Sequence, residues 1–180
     1  DGYTLMTAFD SFTSNPFVFK KVPYDTLKDF APISLLIRGP QIFVATPRLG
    51  TKSFSEFVAL AKAKPGSIRY ATAGPATSSR LSVELFKAVS KLDGTTIFFK
   101  GGGPALNDLL GGHVDVMIAS AGLVLRHARA GRLHALAVSS KNRTLLAPDV
   151  PSISEFYPQF EAQSWVGMLA PAATPSAIVR

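Results

Sequence analysis

Cysteine is absent from this 180-residue chain, which excludes disulfides, thiolate nucleophiles and cysteine-ligated metals. Charge is also sparse, at 17% of residues against 47% apolar, a balance that builds a core and argues against disorder. No apolar run reaches the roughly 18 residues expected of a membrane span. Acidic residues number 12 against 19 Lys and Arg, leaving a net charge of +7. That balance suits an anionic partner. The cations are scattered, however, and no basic run interleaves with aromatics, so no nucleic-acid partner is expected.

Metal and nucleotide chemistry are missing too. The spacings of His113, His127 and His134 do not match helical i,i+3 or i,i+4 ligation, so no metal is expected. Lys100-Gly101-Gly102-Gly103 places its Lys before the glycines with no hydroxyl after them. It therefore fits neither a phosphate loop nor a dinucleotide fingerprint. No cofactor is expected. No serine sits in Gly-x-Ser-x-Gly, and Asp108 and Asp115 read as solvent-facing or turn residues. No constellation for general acid–base work stands out.

What is present is an alternation of strand and helix signals. Tyr3–Ala8 reads as a strand after a turn at Asp1-Gly2. Residues 32–37 and 41–46 read as strands broken at Gly39-Pro40. Ser53-Phe54-Ser55-Glu56 is a capping box that opens a helix with Phe54, Phe57, Val58 and Ala61 on one face. A strand at 67–71 precedes a helix from Ser78 to Leu92 with Leu81, Leu85, Phe86 and Val89 as its apolar stripe. Thr95–Phe99, Val114–Ile118 and Leu133–Ser139 follow as strands, separated by helices from Pro104 and over Ser120–Ala130. Strands joined by helices of this length imply parallel β-α-β units. Ser152–Glu155 repeats the capping-box pattern, Ala162–Ala170 is a last strand, and Thr174-Pro175-Ser176 starts a helix. The fold class is α/β, with one complete lobe at 39–140 carrying a mostly parallel sheet. Segments 1–38 and 141–180 belong to a partial first lobe and hinge. Both ends read as cut, and no signal peptide is expected within these residues.

In an open parallel sheet, ligands bind where strands deliver their carboxyl ends to helix N-termini. Three such junctions fall in the compact lobe: Thr72–Ser79, Lys100–Gly103 and Ala119–Gly122. Tyr70-Ala71-Thr72-Ala73-Gly74-Pro75-Ala76-Thr77-Ser78-Ser79-Arg80 is the most informative stretch. A small-residue loop there turns into a helix opening on three hydroxyls, where unbonded N–H groups and the helix dipole favour an anion. Ordinary capping by Thr77 or Ser78 reads the same residues without a ligand. The loop carries no nucleophile–base pair, so it suits holding a carboxylate rather than transforming one. Ligand-binding expectations fall on Thr72, Ala73, Gly74, Thr77, Ser78, Ser79 and Arg80. Lys100 and Gly101 stand as a neighbouring wall, Ala119 and Ser120 as a floor, and Asp10 and Ser11 after the first strand contribute from the other lobe.

Several segments together resemble a known family. They include Asp1-Gly2-Tyr3-Thr4-Leu5, Pro23-Tyr24-Asp25, Lys28-Asp29-Phe30-Ala31-Pro32 and Ala61-Lys62-Ala63-Lys64-Pro65-Gly66. Asp108-Leu109-Leu110-Gly111-Gly112 before Val114-Asp115-Val116-Met117, Ala130-Gly131-Arg132-Leu133, Pro148-Asp149-Val150-Pro151 and Ser164-Trp165 continue the set. The chain is similar to the tripartite tricarboxylate transporter receptors, also called Bug-type extracytoplasmic solute-binding proteins. The resemblance implies a periplasmic, two-lobed class II binding-protein fold with no catalysis. It also implies a small organic acid as ligand and membrane transporter subunits as partners. The family's ligand loop maps onto Thr72–Arg80. The family usually has His at the position of Arg80, Pro-Tyr at Phe98-Phe99 and an acid at Ala119, and these departures make the pocket more attractive to anions. Two alternatives stay open: an effector-binding regulatory domain of the same fold, and an enzyme on that scaffold. Self-association is expected if apolar surface stays exposed.

Overall fold

The structure is a computed structural model that describes residues 3–179. The turn expected at Asp1-Gly2 lies outside the described residues. The chain divides into two compact units, one of Gly39–Gln163 and one comprising residues up to Arg38 together with those from Ser164 onward. The expected boundary near 140 is therefore corrected: residues 141–163 belong to the larger unit. Ile153 and Phe160 are the reason, since both bury completely in its core. The Val138 N–H also donates to Pro151 O at 2.8 Å, and the Ala162 N–H to Ser139 O at 2.9 Å.

The larger unit holds the second part of β2 (Phe30–Ala45), then α2 (Phe54–Ala63), β3 (Ile68–Thr72), α3 (Ser78–Ser90) and β4 (Gly94–Phe98). It continues through α4 (Gly102–Gly111), β5 (Val116–Ser120), α5 (Ala121–Arg129) and β6 (His134–Val138). β3 pairs in parallel with both β4 and β5, while β2 runs antiparallel to β5 and to β6. The strand order is thus β6-β2-β5-β3-β4, a mixed sheet in which β2 alone is reversed. The expected break at Gly39-Pro40 is absent, because β2 continues through both residues. Its ladders with β5 and β6 begin only at Gln41 and Ile42, so Pro40 withholds no N–H from them.

A sheet covered on both faces reads as continuous apolar sequence rather than alternation. Phe43 and Ala45 of β2 with Val116 and Ile118 of β5 face α2 and α3 through Phe54, Phe57, Val83 and Phe86. Ile42 and Val44 with Met117 and Ala119 face α4 and α5 through Leu106, Leu109 and Val124. The Phe43 ring lies 5.7, 4.9 and 5.3 Å from the rings of Phe54, Phe57 and Phe86. Each such ring contributes roughly 1.5–3 kcal/mol through burial. Ser53 caps α2 by accepting the Glu56 N–H at 3.2 Å, and the Glu56 carboxylate reaches back to the Lys52 N–H at 2.7 Å. Of the stripe expected on α3, Phe86 is buried and Leu85 and Val89 pack against the same core, while Leu81 is exposed and Ser79, Ser82, Val83 and Ser90 are buried instead. Small hydroxyl side chains let that helix approach the sheet closely. Asp115, expected at the surface, is buried and accepts from Arg69 Nε at 2.9 Å and Nη2 at 2.7 Å. That pairing raises the Arg69 guanidinium pKa further above its ordinary range.

The smaller unit contains β1 (Met6–Phe9), α1 (Ser11–Val18), the first part of β2, β7 (Gln163–Pro171, from Ser164) and α6 (Ser176–Val179). β1 pairs antiparallel with β7, which neighbours β2. Helix α1 carries Pro16 in its interior and buries no residue, and the sequence had signalled no helix there. Phe12 stacks on Tyr24 at 5.1 Å and meets Phe30 edge-on at 5.0 Å. Trp165 lies against Gly167, where a Cβ would come 3.1 Å from the indole.

Candidate functional site

The carboxyl ends of β3, β4, β5 and β6 share one edge of the larger unit's sheet, and β2 enters the unit there, with Gln41 opposite Ser120. Helices α3, α4 and α5 all begin at this edge, so three positive dipole ends converge on it. The β3–α3 and β4–α4 loops are tied together: the Phe99 N–H donates to Thr72 O at 3.0 Å and the Gly101 N–H to Ala73 O at 2.9 Å. Gly74 at φ 147° and Gly101 at φ 111° adopt backbone that a side chain would strain. Glycine at these two points lets the loops hold their shape.

Thr77 is the N-cap of α3: its Oγ1 accepts the Arg80 N–H at 3.5 Å and donates to Gly74 O at 2.9 Å. Arg80 bends back over the loop, as helical side chains do toward their N-terminus. Its Nη1 donates to Pro75 O at 2.7 Å, and its guanidinium carbon lies 5.3 Å from the Phe98 ring centroid.

Beneath the loop runs a buried polar network that no sequence motif announced. The Gln41 Nε2 donates to Ser78 Oγ at 3.1 Å, and its Oε1 accepts from Ser82 Oγ. The Gln41 N–H donates to Ser139 Oγ at 2.8 Å, and Ser139 Oγ donates to Ala162 O at 2.6 Å. The available signal was a polar residue heading the apolar run Ile42-Phe43-Val44, and serines recurring on one face of α3.

The structure sorts the expected site residues. Ala73, Gly74, Thr77, Ser78 and Arg80 share the β3–α3 turn with Lys100 and Gly101 close by, and exposed Ser120 opens α5 without a side-chain cap bond. Three of the expected residues are buried, and the two hydroxyls among them are bonded to main-chain carbonyls. Thr72 is fully buried with Oγ1 donating to Ile97 O at 3.3 Å, and buried Ser79 donates its hydroxyl to Ile118 O at 2.7 Å. Ala119 is buried in the apolar layer with residues of α4 and α5. Asp10 and Ser11 lie in the smaller unit, where Asp10 Oδ2 accepts from Ser164 Oγ at 2.7 Å and Ser11 begins α1.

Chemically, the edge offers amides, hydroxyls and cations. Among the described residues, no group of three or more His, Asp or Glu side chains is placed to hold a metal. His127 is lowered from its ordinary pKa, chiefly by burial and then by Arg126 and Arg132, which favours the neutral ring.

Comparison with known proteins supplies the remaining findings. The sequence model of the tripartite tricarboxylate transporter family receptor matches residues 1–180. Protein BugT of Bordetella pertussis is 35% identical over 99% of this chain, which spans 56% of that relative's length. The structure of R. palustris Rpa4515 with adipate superposes with a TM-score of 0.96 at 30% identity, over 99% of this chain and 60% of that one. MatC from Rhodopseudomonas palustris with bound malate gives a TM-score of 0.89 at 32% identity, over 99% of this chain and 62% of that one.

Proposed function

The chain belongs to the tripartite tricarboxylate transporter receptor family, and on that footing we propose that it forms the ligand-holding part of a periplasmic solute receptor. The solute is a small organic carboxylate, delivered to the membrane subunits of a tripartite transporter. One observation carries the reading: three helix N-termini meet two mutually bonded loops at a single sheet edge. A carboxylate placed on the α3 turn gains amide hydrogen bonds in a field already oriented for it. Thr77, Ser78, Gly74 and Ala73 form the turn, Lys100 and Gly101 a wall, and Ser120 the start of the neighbouring helix.

The reading is of capture and release, without catalysis or cofactor. Hydroxyls and amides that hold an anion need no proton transfer, and the Gln41 network has no ionisable member. Adipate and malate on relatives of this fold support the carboxylate class. Thermal-shift and calorimetric titration of the full-length protein against a carboxylate panel test it. A ligand at a hundredfold excess over its Kd stabilises by about 2.7 kcal/mol. Shifts with sugars or nucleotides and none with any acid would refute the proposal.

A further inference from the structure

The Arg80 guanidinium is held in place without an acid to hold it. Its Nη1 bonds Pro75 O, and its central carbon lies over the Phe98 ring, 5.3 Å from the centroid. Glu84, one turn further along the same helix, accepts instead from Thr96 Oγ1 at 2.9 Å and pairs with Lys87 at 3.5 Å. Among the described residues, no carboxylate pairs with Arg80. A guanidinium has five N–H donors in a rigid fork, and one bond to a carbonyl leaves most of that fork to bind something else. Contact with an aromatic face restricts the side chain before any ligand arrives, which lowers the ordering cost of a later ion pair. The charge is held over the same turn that offers the amides of α3.

We propose that Arg80 selects for a ligand with a second acidic group: a dicarboxylate whose first carboxylate rests on the α3 turn and whose second pairs with this guanidinium. The inference rests on the carboxylate reading given above and adds the discriminating residue to it. Phe98, half exposed beside the guanidinium, backs that pair and offers apolar surface to the ligand's carbon skeleton.

The test uses matched acids of equal skeleton on the full-length protein: succinate with butanoate, adipate with hexanoate, and phthalate with benzoate. The wild type should bind the preferred diacid at least tenfold more tightly than its monoacid partner. Arg80→Met, which keeps helix propensity and an unbranched side chain, should lower diacid affinity about 10- to 100-fold and monoacid affinity by much less, so that the preference collapses. Arg80→Lys, which keeps charge without the fork, should fall between. An unchanged melting temperature of the unliganded Arg80→Met variant shows that the loop is intact. An equal loss for both acids of a pair would assign Arg80 to holding the loop and overturn the proposal, as would an unchanged preference. A wild type that binds monoacids as well as diacids would overturn this inference alone. Binding of neither kind would overturn the carboxylate reading itself.

Discussion

The larger unit gathers Phe43, Phe54, Phe57 and Phe86 into one buried cluster, whereas the smaller unit stacks Phe12, Tyr24 and Phe30 and leaves Phe17 and Leu27 about nine-tenths exposed. In the smaller unit only Ala8, Gly167 and Ala170 are buried among the described residues. Within this chain, which spans 56% of a matched relative's length, the larger unit forms a three-layer body and the smaller unit pairs β1 with β7 under little cover. The difference shows where a preorganised site can stand. Loops that depend on glycine-only backbone, such as those at Gly74 and Gly101, keep their shape only where the surroundings over-determine them. The larger unit supplies those surroundings by packing α3 on one face of the sheet and α4 and α5 on the other.

The contrast breaks most decisively on deletion of one ring in each unit. Phe43→Ala should cost about 3–5 kcal/mol by leaving a cavity among three other rings. Phe17→Ala should change stability by less than about 0.5 kcal/mol, as exposed positions do. Chemical denaturation of both variants measures the pair, and equal costs would erase the distinction. Next in size is Gly101→Ala. At φ 111° and ψ 170° the backbone is in a region nearly reserved for glycine, so the change should cost about 1–3 kcal/mol. It should also weaken ligand binding, because the Gly101 N–H ties the two loops. A neutral result in both denaturation and titration would show that the loops hold without that backbone.

The architecture of the larger unit was legible because its signals are periodic. Apolar runs at Gln41–Thr46 and Val114–Ala119 report burial on two faces, and Gly and Pro mark the turns between elements. The smaller unit was harder to read. Helix α1 is weakly amphipathic and holds Pro16 inside, so nothing in Ser11–Val18 separates it from a loop. At the site, the sequence pointed to the turn from Thr72 to Arg80 but not to which atoms are engaged there. Thr72 and Ser79 look like ligand hydroxyls until the carbonyls of Ile97 and Ile118 are placed beside them. Gln41 and Ser139 belong to the network through contacts 98 residues apart in the chain, and local pattern carries no trace of such pairing.

Smaller effects sharpen the comparison. Thr77→Ala removes the α3 cap and should cost about 1 kcal/mol, with a matching loss of ligand affinity, since the cap fixes the turn that meets the anion. Thr13→Ala, which removes a hydroxyl bonded to Asp10 O on exposed α1, should cost less than half of that, roughly 0.5 kcal/mol at most. A cap variant no more costly than the Thr13 variant in denaturation would place the two helix starts on the same footing.

The smallest expected effect is electrostatic and appears in both units at exposed carboxylates. Glu155 of the larger unit is held at about 2, below its ordinary 4.5, first by the Arg143 guanidinium and then by the Ser152 N–H. Asp25 of the smaller unit is also lowered, first by the N–H of Leu27 and also by that of Lys28. A carboxylate whose folded value is depressed adds stability that is fully present above its unfolded value and fades as pH falls through the folded one. For Glu155 that window runs from about 4.5 down to about 2. Melting temperatures of wild type and Glu155→Gln should therefore differ slightly at neutral pH and converge as the pH approaches 2. Carboxyl chemical shifts followed through the same range should show Glu155 titrating late. Asp25 should also titrate below its ordinary 3.8, but its main partners are backbone amides, so its titration should shift less with added salt than that of Glu155, whose partner is a guanidinium that ions screen. Equal salt sensitivity at the two sites would mean that charge rather than backbone geometry governs the smaller unit's turn.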